Sequence, residues 1–514
     1  MLAPVSIKGG NMKKCLKAAQ IFSDNMVLQR NQNVFVWGEG RKNSIITVTI
    51  NGHMVKTKTI EYNWSVEIPR MEAGGPYILT ISDGVDEIAF HDVMIGEVWL
   101  AGGQSNMEME LQNSLNGMEE AHKADNKLIR FYNTAHIATL EEKDLEEEKK
   151  SSWKIVNSCT AGEMSAVAYY MAKELQKELE IAIGIIDCYW GGSSISCWMS
   201  EEYLESDMNA QIYFEEWQEL VGEKSIEEYE QEVETFNNEF QRWVQKSESL
   251  RQENPDITMR DIIELIGNCP WERPVGYKSP YRPAGLYHTM IQRVAPYSIK
   301  GFMWYQGEQD AGKADIYDKM LYKLIEQWRT EWKDDSLPFY IVQLPMWIEK
   351  GAEDDKSWAV IRDKQRKVVD TVKNTYLTVL IDCGEFDNIH PLDKEIVGHR
   401  LAIQILKYNY KYKELYVEGP KYLQRDLKDD KIVLYFENVY GGFQVRGDDK
   451  IKLFEVASSD KVFVEADAVI VGDTIEVSSK LVKNPKYARY GWTNYGIVNL
   501  FNAEGFPVAP FATI

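Results

Sequence analysis

Gly96-Glu97-Val98-Trp99-Leu100-Ala101-Gly102-Gly103-Gln104-Ser105-Asn106-Met107 is the stretch from which the rest of the chain can be read. Residues 98–101 form a short apolar run of strand length that ends in two glycines, and a serine then stands where a helix should begin. A hydroxyl at the carboxyl end of a parallel strand, beside the free N–H groups of a starting helix, suits a nucleophile whose attack builds an oxyanion. The glycines allow substrate and backbone to approach closely. Taken alone, Gly-x-Ser does not separate this from a serine that merely caps a helix.

Working outward, residues 96–410 read as alternating strands and helices. Val167, Met171, Leu175 and Leu179 recur along one helix face, and the strand 181–186 follows directly. Met320, Leu321, Leu324, Ile325, Trp328 and Trp332 mark a second amphipathic helix before the strand 339–343, and Ile361, Gln365, Val368 and Val372 a third before 376–381. This rhythm predicts an α/β domain with a parallel sheet flanked by helices. It is interrupted over about 200–285, where Tyr229, Val233, Phe236, Phe240 and Trp243 follow 4-3-4-3 spacing and predict a helical insertion with a core-facing seam. Residues 17–95 read as an all-β unit, with short β-branched runs at 34–37, 45–50 and 77–81 and a hairpin signal at Asn51-Gly52. Residues 411–514 return to β, with runs at 432–436, 443–445, 451–456, 462–465 and 475–477.

A hydroxyl nucleophile needs a base that titrates near neutrality and a group that orients that base. Of the seven histidines, only His390, in Asp387-Asn388-Ile389-His390-Pro391, combines a local acid with a position after the last predicted strand. Asp387 and His390, three apart in a turn, can face one hydroxyl, although Asp-x-x-His also serves as a capping pattern. His399 falls on the following helix. Two further strand-end loops can supply oxyanion donors. Trp190-Gly191-Gly192-Ser193 offers a glycine N–H, and Trp304-Tyr305-Gln306-Gly307-Glu308 offers an amide side chain.

The whole chain narrows the field. Its 514 residues imply two to four domains. With 80 acidic against 58 basic residues the net charge is −22, which disfavours nucleic acid and anionic membrane as partners. The six cysteines are scattered, without Cys-x-x-Cys, and read as free thiols. There is no His-Glu-x-x-His and no Cys/His cluster, so neither a metal nor an organic cofactor is expected. No apolar run reaches the ~18 residues of a membrane span. Lys13 and Lys14 are followed by Cys15-Leu16-Lys17 rather than by an apolar leader core, which predicts a cytoplasmic protein, or a secreted one if a leader has been removed. Nothing in the pattern specifies an oligomer.

The strand-end blocks together resemble the SGNH hydrolase superfamily, and within it the sialate O-acetylesterase family of carbohydrate acetylesterases. The likeness lies in Gly103-Gln104-Ser105-Asn106-Met107, Trp190-Gly191-Gly192-Ser193, Ile299-Lys300-Gly301 leading to Trp304–Glu308, and Ile389-His390-Pro391 with Lys394, Val397-Gly398 and Arg400-Leu401-Ala402. The segment from Ile21 to Gln29 resembles the family's N-terminal β domain. The resemblance implies an SGNH fold with flanking β domains and Ser105 as nucleophile. It also implies His390 as base, and Gly192 with Gln306 completing an oxyanion hole beside the Ser105 N–H. Asp387 is the implied acid, with Glu308 or Asp382 as alternatives. The wider superfamily carries Asn where this chain has Gln306, and Gln309-Asp310 departs from the residues common in relatives. The implied substrate is an acetylated mono- or oligosaccharide, 9-O-acetyl sialic acid or acetylated xylo- and plant oligosaccharides among them. A carboxylate-bearing sugar would call for an arginine, for which Arg273, Arg282 and Arg293 are available. Two other classes fit less well: an SGNH esterase for lipids or thioesters, and a non-catalytic glycan-binding protein using some of the 15 Trp and 28 Tyr.

Overall fold

The computed structural model describes residues 16–254, 257, 259–270, 273–447 and 450–513. Cys15 and most of the leader-like stretch read above lie outside the described residues. The other five cysteines are free thiols.

The N-terminal part is built from β1 (Lys17–Ala18), β2 (Val27–Gln29), β3 (Val34–Glu39), β4 (Ile45–Ile50), β5 (His53–Lys58), β6 (Asn63–Ile68) and β7 (Gly74–Ser82). Ile50 pairs with His53 across Asn51-Gly52, and both turn residues have positive φ (46° and 78°), as a two-residue hairpin of this sequence requires. The boundary expected at residue 95 falls inside one strand, β8 (Glu87–Gly103), which is 17 residues long. Its first six residues alternate between exposed and half-buried, while everything from Val93 to Gly103 is buried. The change marks where the strand leaves its antiparallel partner β7, wet on one face, for parallel neighbours covered on both faces.

The strands β9 (Asp125–Asn133), β10 (Trp153–Asn157), β11 (Ile183–Tyr189), β12 (Gly301–Tyr305), β13 (Phe339–Val342) and β14 (Thr375–Thr378) complete the central sheet, in the order β10-β9-β11-β8-β12-β13-β14. All these neighbours are parallel except β10, which runs antiparallel to β9 at the edge, so the sheet is mixed rather than purely parallel. The predicted helices are Ala166–Leu179, Tyr317–Trp332 and Ser357–Thr371, with Val167, Met171, Leu175, Met320, Leu324, Trp328, Ile361 and Val368 buried. Helix Glu395–Tyr410 lies against Ala166–Leu179 at Gly398, where a Cβ would come 2.5 Å from Tyr170 and 2.8 Å from the Met171 backbone.

The insertion consists of helices Glu201–Glu205, Gln211–Val221, Ile226–Glu253 and Met259–Ile266. Ser225 and Glu228 form a capping box at the start of the long one. The expected core seam is only partly covered: Tyr229 is buried, whereas Val233, Phe236, Phe240 and Trp243 are half-buried. Phe236 and Phe240 stack on each other, and Arg273 lies over both rings. The C-terminal part holds a four-stranded sheet (Lys421–Lys428, Lys431–Glu437, Thr474–Ser478, Asp467–Val471), a second one of four short strands and a two-stranded ribbon. Met346 and Ile381, from loops of the central domain, belong to its core. Among the described residues no helix is long and apolar enough to cross a membrane.

Candidate active site

β8 delivers the serine. At Gly103 the backbone turns with φ 136°, and a Cβ there would sit 2.1 Å from the Tyr305 carbonyl oxygen, so only glycine lets the strand end this close to β12. Gln104, in extended conformation, takes the cap position of the four-residue helix Ser105–Glu108. Its side-chain oxygen accepts the N–H groups of Gly307 and Gln309, tying the serine turn to the loop after β12. Ser105 is therefore the first residue inside the helix, and its hydroxyl is not used as a cap. Ser105 Oγ lies 2.8 Å from His390 Nε2, and both residues are half-buried. The two sequence-predicted partners meet, although 285 positions separate them.

The acid expected beside His390 has another contact. Asp387 is exposed with φ 59°, and its carboxylate accepts the N–H of Lys350 at 2.8 Å. That bond ties the turn before the histidine to the 345–352 loop. The two alternatives are also engaged elsewhere. Asp382 grips the Arg400 guanidinium with both oxygens at 2.7 Å, and Glu308 accepts from Asn106 Nδ2 at 2.6 Å. Among the described residues no carboxylate is hydrogen-bonded to His390. Burial first, and then the positive charge of Lys394, push the imidazole down to about 4.

The expected oxyanion donors divide. Gly192, with φ 71°, stands in a loop fixed on both sides: Glu108 accepts the Gly191 N–H, and Ser193 Oγ donates to the Trp190 carbonyl at 2.7 Å. No protein group among the described residues accepts the N–H of Ser105 or of Gly192. Gln306 differs from expectation. It is fully buried, and its amide hydrogens go to the Ser193 carbonyl at 3.1 Å and to Asp310 Oδ2 at 2.5 Å, while its oxygen accepts from Tyr317 at 2.9 Å. The amide braces two loops, and both of its hydrogens are taken by these partners.

Asp310, which the sequence left unassigned, is the hub of that brace. Its carboxylate is buried and accepts from Ser194 Oγ (2.8 Å), Tyr213 OH (2.8 Å), the Ile195 N–H (2.8 Å) and Gln306. An acid four residues after Gln306, with the serines of 193–196 as donors, was the available signal, but spacing gives no side-chain direction. A second buried cluster lies under the serine. Asn106 donates to Glu308 and to the Ile389 carbonyl, and it accepts from Lys394 Nζ at 2.6 Å. Burial raises the Glu308 carboxyl to about 7 and lowers the Lys394 ammonium to about 8.

Of the three arginines considered, Arg293 pairs with Glu148 through two contacts of 2.6 Å, and Arg282 donates to the Ala138 and Ser279 carbonyls. Arg273 lies 5.5 Å from the Trp190 ring, in the Gly192 loop, and has no carboxylate partner among the described residues. His399 pairs with Glu174 on the surface.

Residues 95–251 and 270–407 match the family model described as carbohydrate esterase, sialic acid-specific acetylesterase. This region contains Ser105, Gly192, Gln306, Glu308, Asp387 and His390. The chain is 28% identical to the mouse sialate O-acetylesterase over 436 residues, covering 78% of this chain and 75% of that protein. It is 26% identical to the human one over 473 residues, covering 85% and 79%. The structure is similar to that of a carbohydrate acetylesterase from Xanthomonas citri, with a TM-score of 0.78 and 30% identity over 97% of this chain and 99% of that one. Motifs, site geometry and relatives converge: the chain belongs to the carbohydrate esterase, sialic acid-specific acetylesterase family, and it is an esterase.

Proposed function

We propose that the protein removes acetyl groups from O-acetylated sugars by two-step acyl transfer in an SGNH-type domain spanning about 96–410. Ser105 is the nucleophile and His390 the base. The observation that carries this reading is the 2.8 Å contact between the Ser105 hydroxyl and His390 Nε2 at the ends of the central strands. Ser105 Oγ attacks the acetyl carbonyl carbon while His390 accepts its proton. The proton then passes to the departing sugar oxygen, and water repeats the sequence to release acetate and free the serine. The N–H groups of Ser105 and Gly192 bind the tetrahedral oxyanion, each contributing about 3 kcal/mol to lowering the barrier. Gln306 supports them by fixing the Ser193 loop.

Asp387 acts on the position of the histidine loop through Lys350. Asp387→Asn retains the accepting oxygen, so kcat/KM should stay within about threefold of wild type and its pH dependence should not move. A rate loss of about 10³ together with a shifted acidic limb would restore Asp387 as the orienting acid.

The substrate reading is tested by acetate release measured in parallel from 9-O-acetyl sialic acid and from acetylated xylo-oligosaccharides. Arg273, without a carboxylate partner among the described residues and beside Trp190, favours the carboxylate-bearing sugar. Arg273→Ala should raise KM for the sialic acid about tenfold or more and leave the neutral oligosaccharide unchanged. Equal effects on both would remove the arginine from recognition, and acetate from neither would overturn the reading.

A further inference from the structure

The acyl-transfer steps leave the polar cluster beneath Ser105 without a task. Lys394 is 1% exposed and opens the helix Glu395–Tyr410, four residues after His390. Its ammonium donates to Asn106 Oδ1 at 2.6 Å. Asn106 is fully buried and directly follows the serine. It donates to Glu308 Oε1 at 2.6 Å and to the carbonyl of Ile389, the residue before His390, at 3.0 Å. The second oxygen of Glu308 is buried and has no partner among the described residues. One amide thus joins a buried cation, a buried carboxyl, the serine turn and the histidine loop.

We propose that Lys394 is a positioning residue for the Ser105–His390 pair: its buried ammonium, held on Asn106, fixes the serine turn against the histidine loop and places a positive charge that opposes protonation of His390. This rests on His390 being the base. A fixed positive charge close to an imidazole in a poorly solvated site opposes its protonation, and a negative charge favours it. The other acidic groups around the loop are committed. Glu385 accepts from Asn388 Nδ2 and the Leu392 N–H, Asp387 from Lys350, and Asp382 from Arg400. Glu385, Asp393 and Cys383 also interact electrostatically with Lys394, and Asp310 with Glu308. The lowered imidazole of His390, for which Lys394 is the second cause after burial, agrees with this balance.

The test follows His390 directly, by NMR of its imidazole Cε1–H (identified by its loss in His390→Asn), alongside the acidic limb of kcat/KM. Wild type should titrate well below the ordinary imidazole range. Lys394→Met should raise the midpoint by about one pH unit or more, whereas Glu308→Gln should leave it nearly in place, because burial raises the Glu308 carboxyl to about 7 and it is already neutral where His390 titrates. The double variant Lys394→Met/Glu308→Gln removes both charges and keeps an amide for Asn106. It should also titrate above wild type, and it carries the test if Lys394→Met does not fold. A rise in Lys394→Met with little change in Glu308→Gln supports the proposal. A midpoint that stays in place in Lys394→Met while rates fall would reduce Lys394 to a structural contact and overturn it. If the imidazole shifts as expected and the limb of kcat/KM does not follow, the electrostatic role stands and it is His390's part as base that fails.

Discussion

Ser105→Ala should lower kcat by roughly 10⁴ or more and leave the fold intact. The change removes one half-buried oxygen whose protein contact is His390, so no buried partner is left unsatisfied and the melting temperature should barely change. The residual rate would come from substrate positioning and from the N–H donors, neither of which the substitution touches. Steady-state acetate release at saturating substrate gives kcat, and a thermal melt gives the control. A variant retaining a tenth of wild-type activity with the same substrate would remove Ser105 as nucleophile.

Asp310→Ala should be the most damaging change at a residue with no reacting atom. Four donors converge on its carboxylate: two N–H groups, of Ile195 and Gln306, at one oxygen, and two hydroxyls, of Ser194 and Tyr213, at the other. Hydroxyls can rotate to find or become other partners, but the N–H groups cannot, and each buried orphan costs about 1–3 kcal/mol. A loss of roughly 3–5 kcal/mol in unfolding free energy is expected. With the Gly192 loop held to Gln306 only through the Ser193 carbonyl, kcat/KM should fall by about 10² from misplaced donors. Asp310→Asn distinguishes anchoring from charge. Its remaining oxygen can take the two N–H groups while its NH₂ faces the hydroxyls, which then accept, so most of the stability and rate should return. Denaturant unfolding and kcat/KM measured on both variants decide the matter. An alanine variant as stable and active as wild type would show that the brace does not hold the loop.

The pieces legible in the sequence were those fixed by the backbone. A strand running into Gly102-Gly103 leaves a serine at its end, and a histidine loop after the last strand of the same sheet must open on the same edge. Ser105 and His390 could therefore be paired from a one-dimensional reading. Side-chain direction was not legible. Asp387 has the right spacing from His390, but its carboxylate accepts the N–H of Lys350. Gln306 has the right position, but Asp310 and the Ser193 carbonyl take its hydrogens. The same limit hid Lys394 among motif residues, because a lysine's reach under a neighbouring loop depends on packing between distant segments. In the fold, β9 escaped notice because it begins with Asp125, Asn126 and Lys127 and turns apolar only toward its second half. The insertion's seam has the period of a core helix, yet periodicity says which residues share a face and not how completely a neighbour covers it.

The unbroken course of β8 bears on how this protein can be taken apart. Strands β2, β4, β5 and β7 and the whole central sheet form one hydrogen-bonded ladder of 11 strands, with β8 as the shared rung. A cut near residue 95 would sever the beam that carries the serine, and a cut before Glu87 would strip its first half of β7. The front β unit is thus no appendage that can be cut away at a linker. It and the esterase core must be engineered as a single piece, with the reactive hydroxyl mounted at the far end of a strut anchored in the other half.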